Sequence, residues 1–153
     1  MKELIFNCLV GIIGSGKSTY ALELLKKDLE AVWICPDNIR EELTGDMTDQ
    51  SCNAKIFNYV VPHRLAHAYK SGKSIIYDAT NYNRKNRKGV LECAQTLGYK
   101  VILHVMQTPF EQCWTNNLGR NRKVPRFVYD KMVAGWQEPD MEIEPYIDEI
   151  KKV

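Results

Sequence analysis

The chain has 153 residues, 44% of them hydrophobic and 26% charged, which is enough for one compact domain with a real core and too few for two. Its formal net charge of +2 does not mark it as a nucleic-acid binder on bulk charge, and no apolar run approaches the roughly 20 residues of a membrane span. The five cysteines, at 8, 35, 52, 93 and 113, contain no Cys-x-x-Cys pair, and Met1 to Val10 lacks the basic start and long apolar stretch of a signal peptide. The expectation is a reduced, cytoplasmic chain with neither a disulfide framework nor a zinc site, and with Cys8 and Cys35 as core fillers.

Leu4 to Val10 is a short apolar run and reads as a first, buried strand. From Lys17 the residues Tyr20, Ala21, Leu24 and Leu25 recur at helical spacing, predicting a helix to about Leu29. Ala31 to Cys35, stopped by Pro36, reads as a second strand, with a short helix expected from about Asn38. Residues 51–70 read as a longer helix with a kink or break at Pro62. Ser71-Gly72 ends it, and Ser74 to Tyr77 reads as a third strand. Arg84 to Leu97 follows as a helix closed by Gly98. Val101 to Met106 is a fourth strand, Pro109 opens a helix to about Gly119, and a last helix runs from about Arg126 to Trp136. The tail reads equally as an edge strand or a short helix. Strands alternating with helices predict an α/β fold, a parallel sheet of four to five strands with helices on both faces. Ligands of such sheets bind past the carboxyl ends of the strands. The segments after Val10, Cys35 and Tyr77 all fall there.

Gly11-x-x-x-x-Gly16-Lys17-Ser18 is a complete Walker A pattern at a strand-to-helix turn. The glycines let successive N–H groups converge on phosphate oxygens, and the following helix aims its positive end at them. Gly14, Ser15, Gly16, Lys17, Ser18 and Thr19 are the expected phosphate cradle. Lys17 would bridge the β- and γ-phosphates of ATP or another triphosphate, Ser18 would ligate Mg²⁺, and Thr19 would lie near the α-phosphate. The chain has neither the Asn-Lys-x-Asp of a GTPase nor the paired acids that end an apolar strand in a motor ATPase.

Asp37 and Arg40 lie three apart after the second strand and share a helix face. Asp37 suits a proton acceptor for a hydroxyl and suits a helix cap equally well; Asn38 with Glu41 forms a capping-box variant that would leave it free. Arg40 suits a phosphate clamp. Asp78, ending the third strand, either holds a water of the magnesium shell, fixes an arginine such as Arg40, or simply forms a turn. Arg84, Arg87 and Lys88 on the next helix either touch acceptor phosphates or form a solvated face. Arg120, Arg122, Lys123 and Arg126 lie in or beside a polar segment between two helices, the composition of a mobile lid or of a plain solvated loop. As a lid, it offers Arg120 first and Arg122 second to the charge on a transferring phosphoryl group.

This order of motifs, with Asp78-Ala79-Thr80-Asn81 after the third strand and Arg120 before Val124-Pro125, resembles the kinase domain of the phage- and bacterial-type polynucleotide 5′-hydroxyl kinases. The resemblance spans Gly11 to about Trp136. It implies a single P-loop kinase domain over residues 1–153, with a helical lid. It also implies transfer of the γ-phosphate of ATP, with Mg²⁺, to 5′-OH ends of DNA or RNA. Asp37 would be the general base, Arg40 the contact to the acceptor phosphate, Asp78 an acid of the acceptor side and Arg120 the lid arginine. Asn116 stands where some relatives carry a second lid arginine, and the spacing from Arg120 to Val124-Pro125 is one residue short, leaving Arg122 as a displaced substitute. A small-molecule kinase of the same superfamily, for a nucleoside, a sugar or a zeta-toxin-like acceptor, is the alternative; a non-catalytic nucleotide-binding module is a third reading.

Overall fold

The computed structural model describes residues 2–153. Strands β1 (Ile5–Val10), β2 (Val32–Ile34), β3 (Ile75–Tyr77), β4 (Lys100–Val105) and β5 (Glu149–Lys152) form one parallel sheet in the order β2-β3-β1-β4-β5. The strand that feeds the glycine-rich loop is therefore the middle one. Its last three residues are fully buried, as a central parallel strand covered on both faces requires. The tail, undecided in the sequence, becomes β5, aligned beside β4 from Ile102↔Glu149 to Val105↔Lys152.

The helices are α1 (Lys17–Lys27), α2 (Pro36–Thr44), α3 (Asn53–Lys55), α4 (Val61–Lys70), α5 (Arg84–Leu97), α6 (Phe110–Leu118) and α7 (Arg126–Ala134). None among the described residues is long and apolar enough to cross a membrane. Phe6, Cys8, Val10 and Tyr77 face one side of the sheet and pack with Leu65 and Ala68 of α4 and Leu91 and Ala94 of α5. Leu9 and Ile76 face the other and pack on Ala21 of α1. The period-two alternation along β1 thus supplies both layers of core from one strand.

Three sequence expectations are corrected. α1 stops at Lys27, two residues short of Leu29. α2 starts at Pro36 rather than Asn38, with Cys35 as its N-cap and no side-chain cap bond, so the Asn38–Glu41 capping box does not form. Proline with its preset φ is well suited to that first helical position. Residues 51–70 are not one α-helix: α3 passes into a π-helical turn, Ile56–Val60, and α4 begins just before Pro62. A proline at the start of a helix needs no donor, so the irregularity lies upstream of it.

Two buried polar groups hold the layers in place. On the α1 side, His104 of β4 is 1% exposed; its Nε2 donates to Asn7 Oδ1 (2.8 Å) and its Nδ1 accepts from the Tyr20 hydroxyl (2.7 Å). Asn7 in turn donates to Ile75 O (3.1 Å), so one chain of hydrogen bonds runs from α1 across β4 and β1 to β3. Burial, with Lys151 and Lys27 adding to it, lowers the His104 pKa to about 4. On the α5 side, Arg87 is 0% exposed; its Nε and Nη2 donate to the two carboxylate oxygens of Glu144 (2.8 and 3.0 Å), and Nη1 donates to Asn81 O (2.8 Å). Arg87 therefore neither reaches an acceptor phosphate nor lies on a solvated face.

Candidate active site

The glycine-rich loop leaves the end of β1 and returns as α1. Gly14 and Gly16 have φ of 73° and 91°, the left-handed region that glycine enters without steric cost. Gly14 is doubly required, because a Cβ there would collide with the Cys113 carbonyl of α6. Asn116 of α6 donates to Gly14 O (2.9 Å) and Thr108 donates to Ser15 O (2.9 Å). The loop is thus braced from outside, and Asn116 supports the loop itself. Gly11 N donates to Thr80 O (3.0 Å), tying the loop to the segment after β3. Gly16, Ser18 and Thr19 are exposed at the mouth, while Ser15 is buried with its N–H bonded to Ile12 O (3.2 Å).

Lys17 is the first residue of α1, and its Nζ donates to Ile12 O of the loop (3.4 Å). Burial pulls its pKa down; the charges of Asp78 and Asp37 oppose this, and Arg120 adds to it. Lys17 therefore feels charges of both signs from the segments after β2 and β3 and from the basic segment before α7. Ser18 Oγ donates to Asp78 Oδ2 (3.2 Å), joining the Walker serine to the carboxylate that ends β3. No cluster of three or more His, Cys, Asp or Glu side chains occurs among the described residues. Mg²⁺ at such sites keeps several waters and takes few protein oxygens beside those of the phosphates, and Ser18 with Asp78 fits that requirement.

Asp37 sits in the first turn of α2, beyond the carboxyl end of β2, where a carboxylate is favoured by the helix dipole. Arg40 Nη1 donates to Asp37 Oδ1 (2.5 Å) and its Nε donates to Asn53 Oδ1 (2.8 Å). The guanidinium is thereby fixed on both sides, and Arg40 is only 8% exposed. The basic segment between α6 and α7 folds back over this point, with Arg122 Nη2 at 3.4 Å from Asp37 Oδ2. Buried Asn117 pins the segment's far end, accepting from Val124 N (3.0 Å) and donating to Val124 O (2.9 Å). Of the two arginines expected in a lid, Arg122 touches Asp37 and Arg120 faces Lys17 electrostatically. Arg126, in the same basic cluster, lies over the Trp114 and Tyr129 rings (4.8 Å to each centroid) and pairs with Asp130, so it belongs to the packing of α6 on α7.

Hydrogen bonds thus join Ser18 to Asp78, and Arg40 and Arg122 to Asp37, beyond the carboxyl ends of β1, β2 and β3. A family profile described as an AAA domain matches residues 7–139. The chain belongs to that AAA-domain family. None of the curated protein sequences matches it. Among solved structures this AAA domain shares its fold with the fungal RNA kinase (TM-score 0.73, 14% identity, 100% of this chain on 38% of that one). It shares it also with a chain of the Pnkp1/Rnl/Hen1 RNA repair complex (TM-score 0.76, 20% identity, 88% on 45%). A third is the gluconokinase from Sinorhizobium meliloti 1021 (TM-score 0.62, 16% identity, 100% on 83%). The AAA domain is therefore a P-loop α/β fold of kinase type, and it spans less than half the length of the two RNA-related chains. Sequence reasoning missed Asn53 and Asn117, and noted Asn116 only as standing in a lid arginine's place, not as a brace of the loop; a lone asparagine carries no signal until its partners, distant in sequence, are known.

Proposed function

We propose that the protein transfers the γ-phosphoryl group of ATP to the 5′-hydroxyl end of DNA or RNA, acting as one kinase domain over residues 1–153. The observation that carries this reading is the Arg40–Asp37–Arg122 chain, which sets a carboxylate between a buried arginine and an arginine of the lid, within electrostatic reach of the phosphate-loop lysine. A triphosphate in the loop would be held by its N–H groups, Lys17 and the hydroxyls of Ser18 and Thr19. Mg²⁺, held through Ser18 and by Asp78 through its waters, would neutralise charge on the β- and γ-phosphates. Asp37 Oδ2 takes the proton of the 5′-OH as that oxygen bonds to the γ-phosphorus and the bond to the leaving ADP oxygen breaks. Arg122 now holds that carboxylate oxygen, so the acceptor displaces it, and the lid arginines turn to the phosphoryl group in transfer. Arg40 stays in place to meet the acceptor's phosphate with its free Nη2 edge.

Support for a polynucleotide acceptor comes from the motif order and from two structures of the same fold described as an RNA kinase and an RNA repair complex. The gluconokinase of the same fold supports a small-molecule acceptor instead. Labelled ATP and Mg²⁺, offered 5′-OH and 5′-phosphate oligonucleotides beside a panel of nucleosides and sugars, separates the two. Label on 5′-OH ends alone is the expected result. Label on the small molecules alone establishes the alternative, and ATP binding without any transfer refutes both.

A further inference from the structure

The acceptor side of the site carries an aromatic ring that core packing does not use. The π-helical turn Ile56–Val60 lies against α2, and such turns recur at functional sites because an extra residue in the turn redirects its side chains. Here Ile56 enters the core and the adjacent Phe57 is 43% exposed. No buried cluster among the described residues includes Phe57. Its neighbour is the Arg40 guanidinium, 5.8 Å from the ring centroid, within reach of a cation–π contact. That guanidinium is held by Asp37 on one side and Asn53 on the other, so the ring stands one fixed side chain away from the candidate proton acceptor.

A ring that is 43% exposed, with a permanently charged guanidinium over it, offers a nucleotide both of the contacts it needs. The guanidinium meets a phosphodiester and the ring meets a base. A sugar or a simple alcohol has no flat π surface to present to it. We propose that Phe57 stacks on the base of the acceptor's 5′-terminal nucleoside and so selects nucleic-acid ends over acceptors without an aromatic base. This inference rests on the 5′-kinase reading and adds to it the specificity-determining contact.

The test compares wild type with Phe57→Leu, which keeps the apolar bulk, and Phe57→Tyr, which keeps the ring. Acceptors are a 5′-OH oligonucleotide and the same strand with an abasic 5′-terminal nucleotide. Phe57→Leu should lower kcat/KM on the intact strand by about 10- to 100-fold, chiefly through KM. Phe57→Tyr should stay near wild type, and the affinity for a fluorescent ATP analogue should not change in either. The abasic strand should cost the wild type as much as the substitution does and cost Phe57→Leu nothing further. A strand with 2-aminopurine at its 5′ end should be quenched by wild type and Phe57→Tyr but not by Phe57→Leu. An unchanged KM for Phe57→Leu, or equal abasic discrimination by wild type and Phe57→Leu, overturns the stacking contact and leaves the kinase reading standing. A wild type that labels neither strand overturns both.

Discussion

At the scale of single residues, the site depends on what Asp37 is free to do. A carboxylate in the first turn of a helix usually caps it, yet α2 is capped by Cys35 with no side-chain bond, and Asp37 turns toward two arginines instead. Asp37→Asn keeps the shape and removes the proton acceptor. It should lower kcat for the 5′-OH acceptor by roughly 10²- to 10⁴-fold while ATP affinity is retained, since none of the phosphate-loop contacts is altered. Steady-state kinetics with an independent measurement of nucleotide binding checks this; a fully active variant would remove Asp37 from the role of base. The sequence brought Asp37 and Arg40 together by spacing, but left capping and catalysis equally open. Only the position of the helix start decided that the carboxylate is not used as a cap.

At the scale of elements, the loops at the carboxyl ends of the strands are held by polar groups that the core encloses. Arg87 ties α5 to residues 140–144 through Glu144, and to Asn81 O in the turn after β3; Asn81 in turn donates to Leu9 O of β1 (2.9 Å). Removing one partner leaves a buried charge unpaired. Arg87→Met should therefore cost about 3–5 kcal/mol of stability, and the Arg87→Met, Glu144→Leu double variant should cost less than Arg87→Met alone. Urea unfolding of wild type, both single variants and the double variant measures it, and additive losses would show that the pair is not coupled. In the sequence, Arg87 stands in a basic run indistinguishable from a solvated helix face. Its helix position was readable, and its carboxylate partner, 57 residues away, was not.

At the scale of the whole molecule, the sheet is crossed by the Tyr20–His104–Asn7 chain, in which burial keeps the imidazole neutral, with Nε2 donating to Asn7 Oδ1 and Nδ1 left to accept from Tyr20. The folded pKa of about 4 lies below the ordinary 6.5, so between those values the unfolded chain binds a proton that the native one refuses. This contribution to stability is complete above pH 6.5 and is lost as pH falls toward 4. Between pH 7.5 and 5 it should amount to about 2 kcal/mol. Urea unfolding at those two pH values, for wild type and His104→Gln, checks this; an equal pH slope in both proteins would show that His104 does not titrate on unfolding.

The sequence by itself determined the phosphate loop, the alternation of strands and helices, and the placing of Asp37 and Asp78 past strand ends. These are local: each depends on the spacing of a few neighbouring residues and on backbone preferences that act within one turn or one strand. The tertiary structure decided the strand order, the pairing of β5, the π-helical turn that presents Phe57, the burial of Arg87, and the contact of Arg122 rather than Arg120 with Asp37. Each of these depends on which distant side chains share a solvent-excluded space, and that is set by packing the whole sheet at once rather than by any segment of it.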